Sequence, residues 1–173
     1  MRESPTDIRE LQALLDDSIT RASAFLRASF EMPAHSLSAT QLAAHLQGGL
    51  TVALATVTSH GEPRVAPIGA LFISGQFYVP TVAEAVRARH VARRPAVSLT
   101  YFEGIDLAVI AHAQATILDA EHPDFADLDA IQVACGNQSV REWQGHGVYL
   151  RLHAASLYTF AREPGRYSGT APT

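Results

Sequence analysis

The chain has 173 residues, 47% hydrophobic and 17% charged, a composition that excludes disorder and fits one globular domain. Its formal net charge of −4 excludes a global positive field that would attract nucleic acid. All 13 basic residues are arginines, which excludes lysine Schiff-base chemistry and the lysine of a phosphate-binding P-loop.

The opening Met1-Arg2-Glu3-Ser4-Pro5 has no apolar signal-peptide core, and no apolar run approaches the roughly 20 residues that cross a bilayer. A cytoplasmic address is expected, and a single cysteine, Cys135, fits a reducing compartment. Residues 5–30 read as one helix started by Ser4-Pro5-Thr6-Asp7. Ile8, Leu11, Leu14, Leu15, Ile19, Ala22, Phe25 and Leu26 form its buried stripe. A second helix is predicted over about Ala39 to Gln47, with Ser38 to Gln41 as a capping box and Gly48-Gly49 as its stop.

The apolar period then changes to that of strands. Leu50 to Thr58, Arg64 to Ile73 and Gln76 to Pro80 are predicted strands, joined by a turn at Ser59–Glu62 and a tight hairpin at Ser74-Gly75. Thr81 to Glu84 reads as a capping box that opens a helix to about Arg93, ended by Pro95. Ala96 to Phe102 and Asp106 to Leu118 are strands on either side of Glu103-Gly104. A helix follows from Pro123 through Phe125, Leu128, Ile131 and Val133 to a stop at Gly136. Ser139 to Glu142 caps a short helical turn before Trp143, and Gly147 to Phe160 is the last strand, with an irregular tail from Ala161. These elements predict an α+β protein, mainly β, with hairpin-linked antiparallel strands closed into a barrel and helices outside. Residues 1–37 are expected as a helical extension, 38–162 as the barrel and 163–173 as the tail.

The clearest chemical signal is the junction from Val79-Pro80-Thr81 to His90. The first turn of a helix presents unpaired N–H groups and the positive end of its dipole, and Arg87 and Arg89 stand close by. Two readings stand at this level: an anion site, or a surface helix with solvated charges. Glu84 opposes an anion unless its capping bond holds it aside.

The run Leu54-Ala-Thr-Val, Gly61-Glu-Pro-Arg-Val-Ala-Pro67, Phe77-Tyr-Val-Pro-Thr81 and Arg87-Ala-Arg-His-Val-Ala-Arg-Arg-Pro95 resembles the pyridoxamine 5′-phosphate oxidase-like superfamily of FMN-binding split β-barrels. The similarity covers roughly residues 38–118, with a weaker echo in Leu157 to Tyr167. The resemblance implies a six-stranded antiparallel split barrel that pairs into a homodimer with cofactor sites at the interface. It implies that Arg87 grips the cofactor phosphate, with Arg89 at a second basic position. It further places Arg64, Val65, Ala66, Pro67 and Ile68 against the ring, and Pro80 and Thr81 beneath the phosphate tail. FMN is the implied cofactor, with an 8-hydroxy-5-deazaflavin coenzyme as the alternative. The basic and amide side chains of the vitamin B6 oxidases proper are replaced here by Ala66, Leu71 and Ala108, which argues against pyridoxamine phosphate oxidation.

Eight histidines are scattered without a metal-binding spacing, so no metal is expected. His90 is a candidate phosphate hydrogen-bond donor, and His112 is expected to be structural. Trp143 is a candidate cover for the ring across a subunit interface, or a residue packed on its own barrel. Tyr101 and Tyr149 carry the same ambiguity, and Cys135 reads as a buried apolar residue. No catalytic acid or base is assigned. The expected activity is hydride transfer between a flavin or deazaflavin and a small organic substrate. The alternative is a non-catalytic carrier of a flavin, deazaflavin or haem, in either case without membrane or nucleic-acid partners.

Overall fold

The computed structural model describes residues 3–144 and 146–168, so the part of the expected tail over 169–173 lies outside the described residues. Ser4 caps helix α1 (Pro5–Arg21) through a capping box with Asp7, whose N–H donates to Ser4 Oγ at 3.2 Å. The expected single helix over 5–30 is broken. Ser23 Oγ accepts from Leu26 N–H and starts α2 (Ala24–Ser29), while the Arg27 guanidinium reaches back to the last carbonyls of α1. The break turns Phe25 out of the expected stripe, and it is 81% exposed. Leu11, Leu15 and Ser18 stay buried, and Ser18 Oγ ties α1 to the barrel by accepting from Leu157 N–H. Helix α3 (Ala39–His45) starts with the predicted Ser38–Gln41 capping box.

The strands are β1 (Leu50–Val57), β2 (Pro63–Ile73), β3 (Gln76–Val82), β4 (Ala96–Glu103), β5 (Leu107–Leu118) and β6 (Gly147–Ala161). All pairings are antiparallel, and the order β1-β2-β3-β6-β5-β4 closes into a six-stranded barrel as β4 returns to β1. Ser74 and Gly75, both with positive φ, form the tight β2–β3 turn that matches strand twist. The barrel interior is filled by inward residues such as Leu54, Leu99, Val109 and Leu150. Closure leaves no pair of open edges.

Helix α4 (Val86–Arg93) follows β3, and α5 (Phe125–Ala134) followed by a 3-10 turn (Val140–Glu142) lies between β5 and β6. On β6, Leu150 and Leu152 point into the barrel as expected. Tyr149, on the opposite face, is also fully buried, because α5 covers it with Phe125 and Leu128. Leu71 lies in this second core, so a charged side chain at that position would be buried without water. On α5 the buried positions are Phe125, Leu128, Asp129 and Gln132, and Val133, expected in the apolar stripe, is 49% exposed. After β6 the expected irregular tail contains one 3-10 turn, Pro164–Arg166. Among the described residues no helix is long and apolar enough to cross a membrane.

Candidate functional site

The β3–α4 junction is built differently from its sequence reading. Thr81 is not a helix cap. It remains in β3, paired with Val148 of β6, and is 2% exposed. Strand pairing with β6 carries the chain two residues past Pro80, so the helix begins only after Ala85. Ala85 has no side chain able to cap, and α4 begins with its first-turn N–H groups uncapped. Such a helix end carries partial positive charge available to an external anion.

Thr81 serves instead as a fixed acceptor: Arg87 Nη1 donates to its Oγ1 at 2.9 Å. Among the described residues no carboxylate lies within 4.0 Å of the Arg87 guanidinium, whereas Arg64, Arg151 and Arg162 all have acidic partners. Glu84 is drawn away to the exposed His146 at 2.8 Å, and that hydrogen bond holds its carboxyl below the usual carboxylate range. The expected repulsion from Glu84 is thereby removed by a partner outside the helix.

Arg87 stands between two clefts. One, of about 420 Å³, is lined by Arg64, Val65, Ala66, Thr56 and His90 beside Arg87. The other, of about 470 Å³, is lined by Ile68, Pro80, Thr81, Gln132 and Trp143 beside Arg87. The outer half of β2 runs along both clefts, although Pro67 lines neither. Val65 and Val86 at the mouth of the first cleft are 71% and 56% exposed, unusual for valine.

Arg89 does not join Arg87. It lines an adjoining cleft of about 210 Å³ with Arg93 and Ser59, which shares Thr58, Val86 and His90 with the first, because residues two apart on a helix point in different directions. His90, three residues after Arg87, does share its cleft, with its ring fixed by a 2.9 Å hydrogen bond between Nδ1 and Thr56 Oγ1. Nε2 is then the nitrogen left for a ligand. Trp143 packs on the α5 core of its own chain while lining the second cleft. Tyr149 is buried in that core, and burial first, then Asp129, raises its hydroxyl well above the ordinary tyrosine value. Tyr101 lies elsewhere, hydrogen-bonded to Glu103. Cys135 is half-buried rather than fully buried at the end of α5. His112 bonds Ser98 Oγ at 2.8 Å. Among the described residues no group of His, Cys, Asp and Glu is arranged to hold a metal ion.

Thr56 and Gln132 were not among the sequence candidates. Both carry a detectable signal, a polar residue at a position whose strand or helix period points to the core: Thr56 follows Val52 and Leu54, and Gln132 follows Leu128.

The sequence matches the family model described as Pyridoxamine 5'-phosphate oxidase over residues 39–160. No curated protein sequence matches significantly. Solved structures share the fold at low identity. A FAD-binding protein from Mesorhizobium loti superposes with a TM-score of 0.58 at 16% identity, covering 72% of this chain and 93% of that one. An F420 reductase gives 0.53 at 14% identity, with 65% and 91% covered. HutZ, the haem storage protein of Vibrio cholerae, gives 0.51 at 19% identity, with 64% and 84% covered. At these identities the likeness establishes the fold alone.

Proposed function

The chain belongs to the pyridoxamine 5′-phosphate oxidase family, and from that premise we propose that it binds a flavin-type cofactor by its phosphate and serves as an oxidoreductase. The observation that carries this reading is Arg87, a guanidinium oriented by Thr81, beside an uncapped helix start and without a carboxylate partner among the described residues. A phosphate fits that donor set, because arginine offers a planar fork and the helix start offers N–H groups. The cofactor, when bound, supplies acceptance and donation of a hydride. The chain's own residues bind and shield: Arg87 and Thr81 fix the anionic end, and the β2 segment Arg64–Ile68 offers a wall for the ring. Val65 and Val86 exclude water once covered, and His90 Nε2 offers a hydrogen bond.

FMN is the proposed cofactor, with an 8-hydroxy-5-deazaflavin coenzyme as the alternative, since a phosphate grip serves both. The proposed substrate is a small organic acceptor. Pyridoxamine phosphate is disfavoured by Ala66, Ala108 and the buried Leu71. The proposed unit is a cytoplasmic homodimer with the sites at its interface, which would cover the exposed Val65 and Val86.

Absorption titration with FMN and then with the deazaflavin coenzyme tests the cofactor. Reduction of the bound ring and reoxidation by quinones and enones tests the activity. If no acceptor oxidises the bound cofactor faster than the free one, the oxidoreductase reading fails and a carrier remains. Sedimentation tests the dimer.

A further inference from the structure

The second cleft beside Arg87 has one wall that the phosphate reading leaves unused. Gln132 of α5 is 5% exposed and lines this cleft, yet its side-chain amide has no hydrogen-bond partner among the described residues. The same helix treats its other buried polar residue differently. Asp129, three residues earlier, accepts from Ser139 Oγ at 2.6 Å and Val140 N–H at 2.7 Å. The Gln132 amide is not among the fully enclosed polar atoms, so its unpaired donor and acceptor open onto the cleft, where a ligand can take them up. Among the described residues Arg87 is the only charged one lining the cleft, so the wall at Gln132 does not suit a second anion. Trp143 adds a flat apolar face beside it.

We propose that Gln132 is a ligand-recognition residue whose carboxamide reads a neutral amide or imide edge, a carbonyl beside an N–H, in the cleft next to Arg87. A carboxamide is complementary to such an edge, donating from its NH2 and accepting at its oxygen in two parallel hydrogen bonds. The edge belongs either to the pyrimidine side of a flavin-type ring or to a small amide-bearing substrate. The first source rests on the proposed cofactor reading, and the second does not.

The test measures binding by calorimetry to wild-type protein and to Gln132→Met, which keeps length and volume without the hydrogen bonds. The ring probes are FMN and 3-methyl-FMN, whose imide N–H is blocked. The small probes are uracil and 1,3-dimethyluracil. If the ring edge is read, wild type prefers FMN over its methylated form by about tenfold, and the variant loses the preference. If a substrate edge is read, FMN binding is unchanged and uracil is preferred over dimethyluracil by wild type alone. Should the methionine variant fail to fold, Gln132→Glu, which loses the NH2 donor at similar size, takes its place in both arms, because Asn137 and Gln138 line the same cleft and wild type alone would not single out Gln132. Equal binding of free and blocked probes, or binding of neither, overturns the proposal. Failure of the phosphate reading shows separately, as FMN affinity unchanged by Arg87→Ala while the Gln132 preference persists.

Discussion

Arg87 Nη1 donates to Thr81 Oγ1 at 2.9 Å, a bond that joins the end of β3 to the first turn of α4 and aims a guanidinium at two clefts. Because Thr81 is 2% exposed, the acceptor is fixed by the barrel and not by solvent. A preorganised cation loses less side-chain entropy on binding than a free arginine.

From this geometry, Arg87→Ala should weaken FMN binding by roughly 10- to 150-fold, the equivalent of about 1.5–3 kcal/mol for a hydrogen bond to a charged group. Riboflavin, which has no phosphate, should bind wild type and variant alike. Thr81→Val should give a smaller loss in the same direction, since it removes only the orienting acceptor. Fluorescence titration of both ligands checks this, and equal losses for FMN and riboflavin would place the phosphate elsewhere.

Gly147 opens β6 directly against the 3-10 turn at Val140. A Cβ there would collide with the Val140 carbonyl oxygen and lie 2.5 Å from its Cγ1. Backbone cannot move aside as a flexible side chain can, so Gly147→Ala should destabilise by about 1–3 kcal/mol or more, the range for overpacking. Urea denaturation gives the midpoint shift. Gly61→Ala offers a contrast, because nothing lies within 4 Å of its added Cβ and only its positive φ is strained.

The barrel was legible in the sequence because strand period, hairpin turns and capping boxes are local. Ser38 and Gln41 cap α3 as their spacing implies, and Ser74-Gly75 makes the turn it suggests. The reading failed where a distant partner, or a local side-chain bond that competes with the helix, decides the structure. Thr81 and Glu84 match a capping box, but β6 holds Thr81 in the sheet and His146 takes Glu84. Ser23 and Arg27 end α1 by side-chain bonds that compete with helix continuation. Arg87 and Arg89, two apart on α4, line different clefts that adjoin through Thr58, Val86 and His90.

Asp129 holds the segment between α5 and β6 in place. Its carboxylate accepts from Val140 N–H and Ser139 Oγ, and more weakly from Tyr149 at 3.4 Å. Asp129→Ala would strand a buried N–H and a buried tyrosine hydroxyl, each about 1–3 kcal/mol when left unpaired. Loss of stability should be accompanied by loosening of Trp143, which packs on the same core. A red shift of tryptophan emission before global unfolding reports it, and an unshifted spectrum would show that Trp143 is held independently of Asp129.

Glu103 links the β4–β5 turn to α3. Its Oε1 accepts from the Tyr101 hydroxyl at 2.5 Å and lies 2.7 Å from His45 Nε2, and Tyr167 packs edge-on against the His45 ring at 4.9 Å. Burial pushes the Glu103 carboxyl up, but the hydrogen bonds from Tyr101 and His45 outweigh it and hold the carboxyl below its ordinary value of 4.5. Linkage then fixes the direction. The unfolded chain binds the proton more readily, so the contribution is fully present above pH 4.5 and is lost as pH falls through the lower folded value. With its side chain 42% exposed, solvent screens the effect and keeps it small. Glu103→Gln keeps an acceptor without titrating, so wild type should be the more stable protein at neutral pH and the gap should close on acidification. His153, whose folded value is lowered by burial and then by Arg151, adds an acid limb that begins higher, near 6.5. That limb is common to both proteins and cancels in their difference. Urea denaturation of the pair at successive pH values below 7 isolates Glu103, and a gap that stays constant down to the acid transition would show that its hydrogen bonds are not held in the folded state.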